Sequence, residues 1–310
     1  MSEQAPSKIL VATDFSDTAH TGAQWAIEIA RNCGMEIHLL HVLTLPHPWP
    51  HYAPAPPELG ESLEKGAAER LAEEAEKLTT ADVPVTTRLE IGIPSQVILE
   101  TARELSPGLL VIGTRGLSGL SHLLLGSTAE RVVQKATCPV LTVHPEDGAP
   151  PRPIETVLVP TDFSDDAKVA IETARRLLRG QGIRTRAKLV LVHAYALPIE
   201  YTAYGPIPTS VHYLENTGAE AQTALEEAAD ELRGEGLTVE AVTREGYPPE
   251  VIVTEAERSG ADLIAMGTHG RTGLAHLLLG STAERVVQRA GCPVMTVRRE
   301  IEAGEEGSED

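Results

Sequence analysis

The stretch LVIGTRGLSGLSHLLLGSTAERVVQKATCPVLTVH, residues Leu110–His144, is written a second time as IAMGTHGRTGLAHLLLGSTAERVVQRAGCPVMTVR at Ile264–Arg298. Aligned without gaps, 24 of the 35 positions are identical. The duplication extends outward. Ile9-Leu10-Val11-Ala12-Thr13-Asp14-Phe15-Ser16-Asp17 recurs as Val157-Leu158-Val159-Pro160-Thr161-Asp162-Phe163-Ser164-Asp165. Leu39-Leu40-His41-Val42 recurs as Leu191-Val192-His193-Ala194, and Gly92-Ile93-Pro94 as Gly246-Tyr247-Pro248. An offset of about 150 residues is too long for a solenoid repeat, so the chain is one domain written in tandem. The copies are placed at residues 1–147 and 153–300. A Pro- and Gly-containing linker at 148–152 is semi-stiff by composition, and residues 301–310 form an acidic tail.

Within a copy, strands alternate with helices. Lys8–Ala12 is a near-continuous apolar run and reads as a buried strand. Asp17–Cys33 has helical spacing, with Ala23, Ile27 and Ala30 on one face. Glu36–Val42 reads as strand, Leu43–Pro57 as a Pro-rich loop, and Glu58–Leu78 as an Ala- and Glu-rich helix. Val83–Ile91 is a third strand. Pro94–Leu105 is a helix with proline in its first turn. Leu109–Ile112 is strand, Ser127–Ala136 helix and Pro139–Val143 strand. The second copy is expected to follow the same order. This alternation predicts an α/β fold: two tandem doubly wound domains, each with a five-stranded parallel sheet flanked by helices. In such sheets ligands sit beyond the carboxyl ends of the strands at the topological switch point, which points to the ends of strands one and four.

Composition narrows the function. The 310 residues carry 45 Asp and Glu against 26 Lys and Arg, a net charge of −19. A phosphate backbone would be repelled, so nucleic acid is not an expected partner. No run of 18 apolar residues exists, and Met1-Ser2-Glu3-Gln4 lacks a signal peptide's basic start and apolar core. No membrane partner is expected. Three separated cysteines, Cys33, Cys138 and Cys292, form no disulfide framework, which fits a reducing cytoplasm.

The fourth strand runs into Gly113-Thr114-Arg115-Gly116, and nine residues later Gly126-Ser127-Thr128 opens a helix. The second copy repeats this as Gly267-Thr268-His269-Gly270 and Gly280-Ser281-Thr282. Glycine allows backbone N–H groups to approach an anion closely. A helix N-terminus adds donors and a favourable dipole. The set is a phosphate cradle in outline. A second reading stands beside it: Ser127 with Glu130, and Ser281 with Glu284, match a capping box. No Gly-Lys-Ser/Thr occurs, so this is not a P-loop.

The spacing Gly-x2-Gly-x9-Gly-Ser/Thr, the opening Thr-Asp-Phe-Ser and the Cys-Pro-Val near each copy's end together resemble the universal stress protein family, in its ATP-binding branch. The resemblance covers about residues 7–144 and 155–299. It implies ATP, or AMP or ADP, as ligand, with Mg2+ accompanying a triphosphate. It also implies a ribose and adenine contact at Asp14 and Asp162, and adenine-pocket walls at Ala12, Thr13, Pro160 and Thr161. Val42 and Ala194 are implied to pack against adenine. Ribose and phosphates fall to Gly113, Gly116, Gly126, Ser127 and Thr128, and to Gly267, Gly270, Gly280, Ser281 and Thr282. For Asp14 the alternative stays open that Asp-Phe-Ser-Asp turns the chain and caps the next helix. Family members commonly pair through their last strands. Here Pro139–Val143 and Pro293–Val297 are expected to meet antiparallel within one chain, as an internal pseudo-dimer. A further homodimer through other surfaces stays open beside the monomer, with the net charge opposing it.

Two departures separate the copies. Ala12 replaces Pro160, and Arg115 and Leu117 become His269 and Arg271, so unequal affinities are expected. His41, His47 and His51 cluster by sequence, but the prolines around them deny a regular metal pair, and a solvated loop is the plainer reading. His122 and His276 read as loop packing residues. Cys138 and Cys292 read as inert core thiols in a buried strand. No catalytic or metal-binding residue is assigned: no P-loop lysine, paired-carboxylate metal site or water-positioning base is visible. The expected function is a cytoplasmic, ATP-binding stress-response regulator, with slow hydrolysis as the most the residues allow and its regulatory partner unidentified. A non-nucleotide scaffold or small-ligand carrier is the alternative.

Overall fold

In a computed structural model the described residues are 8–44, 57–79, 82–114, 125–148, 150, 154–179, 187–195, 199–202, 205–208, 211–270 and 279–299. The chain forms two compact units, with the main break between Ile154 and Glu155.

The first half contains β1 (Lys8–Thr13), α1 (Asp17–Cys33), β2 (Glu36–Leu43), α2 (Pro57–Leu78), β3 (Val85–Ile91), α3 (Pro94–Leu105), β4 (Leu109–Gly113), α4 (Ser127–Lys135) and β5 (Val140–Val143). Its sheet order is β3-β2-β1-β4-β5, with every pair parallel. The second half contains β6 (Thr156–Pro160), α5 (Asp165–Arg179), β7 (Lys188–Tyr195), β8 (Ile199–Thr202), β9 (Gly205–Pro208), α6 (Val211–Gly234), β10 (Thr238–Glu245), α7 (Pro248–Ser259), β11 (Leu263–Gly267), α8 (Ser281–Arg289) and β12 (Val294–Val297). Its parallel order, β10-β7-β6-β11-β12, repeats the first. The α/β, doubly wound reading of the alternation holds in both halves. The central strands explain why: Ile9, Leu10, Leu110, Leu158 and Leu263 are fully buried, as strands covered on both faces must be.

Connection order changes direction between β1 and β4, which pair directly. The loops leaving these two strands therefore diverge and leave a crevice at their carboxyl ends. The helix after β1 is set by local chemistry. Ser16 is the N-cap of α1, its side chain accepting from Ala19 N, and Gly34 ends the helix at φ 66°, a left-handed conformation that glycine adopts without strain.

Two expectations need correction. The second half does not repeat the first element for element: β8 and β9 form an antiparallel hairpin between β7 and α6. Prolines at 206 and 208 make that stretch read as loop, yet an edge position tolerates a residue without an N–H. Cys138 and Cys292 are not strand residues. They precede β5 and β12 and are half-buried. The physical reason is the following proline: Pro139 and Pro293 enter the ladder only as acceptors, from Leu110 N at 2.9 Å and Ile264 N at 3.0 Å. Burial still pushes the Cys138 thiol up to about 11, which keeps it unreactive near neutral pH. A 3-10 turn, Pro145–Asp147, stands just before the linker. It is held by Trp25, whose Nε1 donates to Gly148 O at 3.1 Å.

Candidate functional site

Each half holds a cavity of about 350 Å³ at the carboxyl ends of its central strands. In the first half Ala12, Thr13, Asp14, Val42, Gly113, Gly126, Ser127 and Thr128 all line it. In the second, Pro160, Thr161, Asp162, Ala194, Gly267, Gly270, Gly280, Ser281 and Thr282 do. Gly116 lies outside the described residues, as do Arg115, Leu117, Arg271, His47, His51, His122 and His276.

The wall after β1 is a tightly bonded turn. Thr13 Oγ1 accepts from Phe15 N at 3.0 Å, and Phe15 sits at φ 64°. Asp14 Oδ1 accepts from Ser16 N at 3.0 Å and from the Ser16 hydroxyl at 2.6 Å. The second half repeats this with Phe163 at φ 65° and Asp162 Oδ1 accepting from Ser164 N at 3.0 Å. The turn-and-cap reading of this segment holds, with Ser16 rather than Asp14 as the cap. Ser16 caps the helix, and Asp14 braces that serine while standing in the cavity wall.

A histidine on the neighbouring strand secures the turn from beneath. His41 Nδ1 donates to Thr13 O at 2.8 Å, and its ring lies 4.2 Å from that of Phe15. His193 does the same to Thr161 O at 2.7 Å, with Phe163 at 4.8 Å. Burial lowers the His41 pKa against the opposing effect of the Thr13 carbonyl, so the ring is held neutral. Residue reasoning placed His41 among metal candidates and missed this role. The signal was present: both the histidine and the phenylalanine recur in the second copy. Among the described residues no group of three His, Cys, Asp or Glu side chains is arranged to hold a metal.

The glycines have an internal explanation. A Cβ at Gly113 would lie 2.9 Å from Thr18 Cγ2, and one at Gly267 would lie 2.8 Å from Asp166 Cβ. Glycine lets the first turn of α1 or α5 close against the strand end. At Gly126 and Gly280 a Cβ would approach the carbonyls of Thr114 and Thr268 to 3.1 and 2.7 Å. These same glycines donate their N–H to those carbonyls, at 2.8 and 2.9 Å. Gly126 and Gly280 are consequently the N-caps of α4 and α8, and neither helix start has a side-chain cap. The capping-box reading of Ser127 and Ser281 is overturned. Both are first-turn residues that line the cavity.

Each cavity has two chemical ends. Ala12, Leu40, Val42, Pro94, Ile98 and Ile112 offer apolar surface in the first, and Pro160, Val192, Ala194, Pro248, Ile252 and Met266 in the second. The other end carries hydroxyls, one carboxylate and the start of α4 or α8, whose dipole favours negative charge. A flat apolar group and an anionic group fit one cavity together. The α3 and α7 contributions were not foreseen, because the prolines at 94 and 248 read only as helix starts.

The chain is similar to known proteins along both halves. The model described as the universal stress protein family matches residues 6–144 and 153–298. A universal stress protein of Mycolicibacterium smegmatis is 30% identical over 298 residues, covering 94% of this chain and 96% of its own length. Among solved structures, a universal stress protein from Archaeoglobus fulgidus covers 96% of this chain and 97% of its own, at 24% identity and a TM-score of 0.71, a likeness of fold. A universal stress protein solved in complex with cAMP covers 46% of this chain and 99% of its own, at 24% identity and a TM-score of 0.36.

Proposed function

The chain belongs to the universal stress protein family, and from that premise we propose that it binds an adenine nucleotide, ATP foremost, in each of its two halves. The observation that carries the reading is convergence. Residues nominated from separate parts of the sequence line one cavity per half, with an apolar end suited to a purine and a helix start suited to phosphate. Asp14 and Asp162 would meet the ribose, Val42 and Ala194 the base, and Ser127, Thr128, Ser281 and Thr282 the phosphates. Mg2+ would accompany a bound triphosphate, screening its charge. The chain's own residues bind and orient; none is assigned to turnover, and slow hydrolysis is the upper bound. Acting in the cytoplasm, such a protein regulates a stress response by its nucleotide-bound state.

A second reading has one observation in its favour. Packing against Thr18, Asp166, Thr114 and Thr268 already requires glycine at 113, 267, 126 and 280, and a scaffold or small-ligand carrier of the same fold would need those glycines too.

Titration calorimetry of the full chain with ATP, ADP, AMP and cAMP separates the two. Two sites per chain with unequal affinity are expected; absence of binding by all four favours the scaffold. Gly270→Val is the companion variant. Its Cβ would fall 2.6 Å from Asp162 Oδ2, so it displaces the carboxylate and narrows the loop together. Retention of second-half affinity within about threefold, roughly 0.7 kcal/mol, would refute the assignment.

The same reading extends to assembly. β5 and β12 each end the sheet of their own half, pairing with β4 and β11 on one side. Joined to each other antiparallel, they would make an internal pseudo-dimer and protect two apolar edges at once.

A further inference from the structure

Two arginines stand at matching positions, one turn inside the helices that open on the cavities. Arg131 is the fifth residue of α4 and Arg285 the fifth of α8, and both are exposed. Residues four apart share a helix face. The arginines therefore follow Ser127 and Ser281, which line the cavities, at one helical pitch of about 5.4 Å. Long helical side chains lean toward the N-terminus, which directs both guanidinium groups back over the first turn.

Among the described residues, neither guanidinium is paired with a carboxylate. Arg131 has no hydrogen bond, ion pair or ring contact there. The adjacent Glu130 Oε1 accepts instead from Gln134 Nε2 at 3.2 Å, and Glu284 Oε1 from Gln288 Nε2 at 3.4 Å. Arg285 is held by a neutral group. Its Nη1 donates to the Tyr247 hydroxyl, and its guanidinium lies 5.3 Å from the centre of that ring. Tyr247 is the N-cap of α7, next to Pro248 of the second cavity's wall. The first half has Ile93 at this place, 53% exposed and without a hydroxyl to offer. Arg31, Arg88, Arg175 and Arg233, by contrast, are each paired with a carboxylate. In a chain of net charge −19, two cations so placed stand beside the two helix starts that favour an anion.

We propose that Arg131 and Arg285 contact the outer phosphates of the bound nucleotide and set a preference for ATP over AMP, with Tyr247 restraining Arg285. The inference rests on the nucleotide reading above and deepens it by naming the residues that distinguish a triphosphate from a monophosphate. A monophosphate needs only the donors of the helix start. Added phosphates extend the anion beyond them, and a guanidinium meets such an anion with paired, charged donors. Arg285 gives up the Tyr247 hydroxyl to do so, whereas Arg131 gives up no partner among the described residues. The first cavity therefore has the stronger preference.

The test is calorimetry of the full chain with ATP and with AMP. In the double variant Arg131→Gln with Arg285→Gln, ATP affinity is expected to fall about tenfold at both sites, the loss of one charge-assisted contact, while AMP affinity stays within about twofold. Lys135→Gln with Arg289→Gln removes the same charge from the last turns of the same helices and leaves both ligands unchanged. Tyr247→Ile, which copies the first half, raises ATP affinity relative to AMP at one of the two sites. ATP affinity that survives the arginine double variant overturns the proposal and leaves the nucleotide reading standing. So does an equal loss for ATP and AMP, or an equal loss in the Lys135 and Arg289 control. An ATP-to-AMP ratio that Tyr247→Ile leaves unchanged at both sites overturns the restraint by Tyr247. ATP bound by neither cavity overturns the nucleotide reading and this inference together.

Discussion

His41 shows how much one side chain does for a site it does not line. It reaches from β2 to the carbonyl of Thr13 and fixes the turn that places Asp14. Burial, the largest influence on its ring, lowers its pKa below the usual value of 6.5. The unfolded chain therefore takes up this proton first as pH falls. The stabilisation is complete above the unfolded value and is lost as pH drops through it toward the folded value. His38, lowered by burial in the same direction, adds to the effect. His41→Gln has no proton to take up. Its melting temperature should fall less between pH 7.5 and pH 5.5 than that of the unaltered chain, by about 2 °C. Parallel curves for the two proteins would show that the ring is not held neutral. The residue types at this site were legible from the duplication, since Thr-Asp-Phe-Ser and the strand histidine occur twice. Their division of labour was not, because a hydrogen bond from β2 to the loop after β1 exists only once the strands pair.

The starts of α4 and α8 carry the strongest contrast at the level of the element. Both helices are N-capped by a glycine rather than by the adjacent serine. The glycine is dictated by the carbonyl opposite it, and the clearance differs, 3.1 Å at Gly126 and 2.7 Å at Gly280. Gly280→Ala should cost about 1–3 kcal/mol as the backbone shifts, and Gly126→Ala less than about 1 kcal/mol. Ser127→Ala should stay within about 0.5 kcal/mol, because no cap is lost. Urea denaturation reads all three. A loss near 1 kcal/mol at Ser127 would restore the capping box. Strands and long helices could be located from periodicity alone, and α1 and α3 begin and end where their spacing said. The hairpin of β8 and β9 could not, since proline reads as loop until its place at an edge is known.

At the scale of the whole molecule, the proposed pairing of β5 with β12 makes a measurable claim. Their amides should exchange with solvent as slowly as those of β4 and β11. Rapid exchange in Val140–Val143 and Val294–Val297 would mean that both edges stay open. Light scattering should then report one chain per particle, since a net charge of −19 opposes further self-association. Much about this protein was decided by the sequence itself. Tandem duplication, the alternation of strand and helix and the recurrence of the glycine spacing are all local or internal comparisons that need no coordinates. Tertiary structure alone decided which groups meet. Asp166 and His269 are 103 residues apart in the chain, and Gly280 owes its identity to a carbonyl on the preceding strand's loop. Such contacts depend on the parallel register that brings the ends of β6 and β11 side by side, and no periodicity encodes the distance between two strand ends.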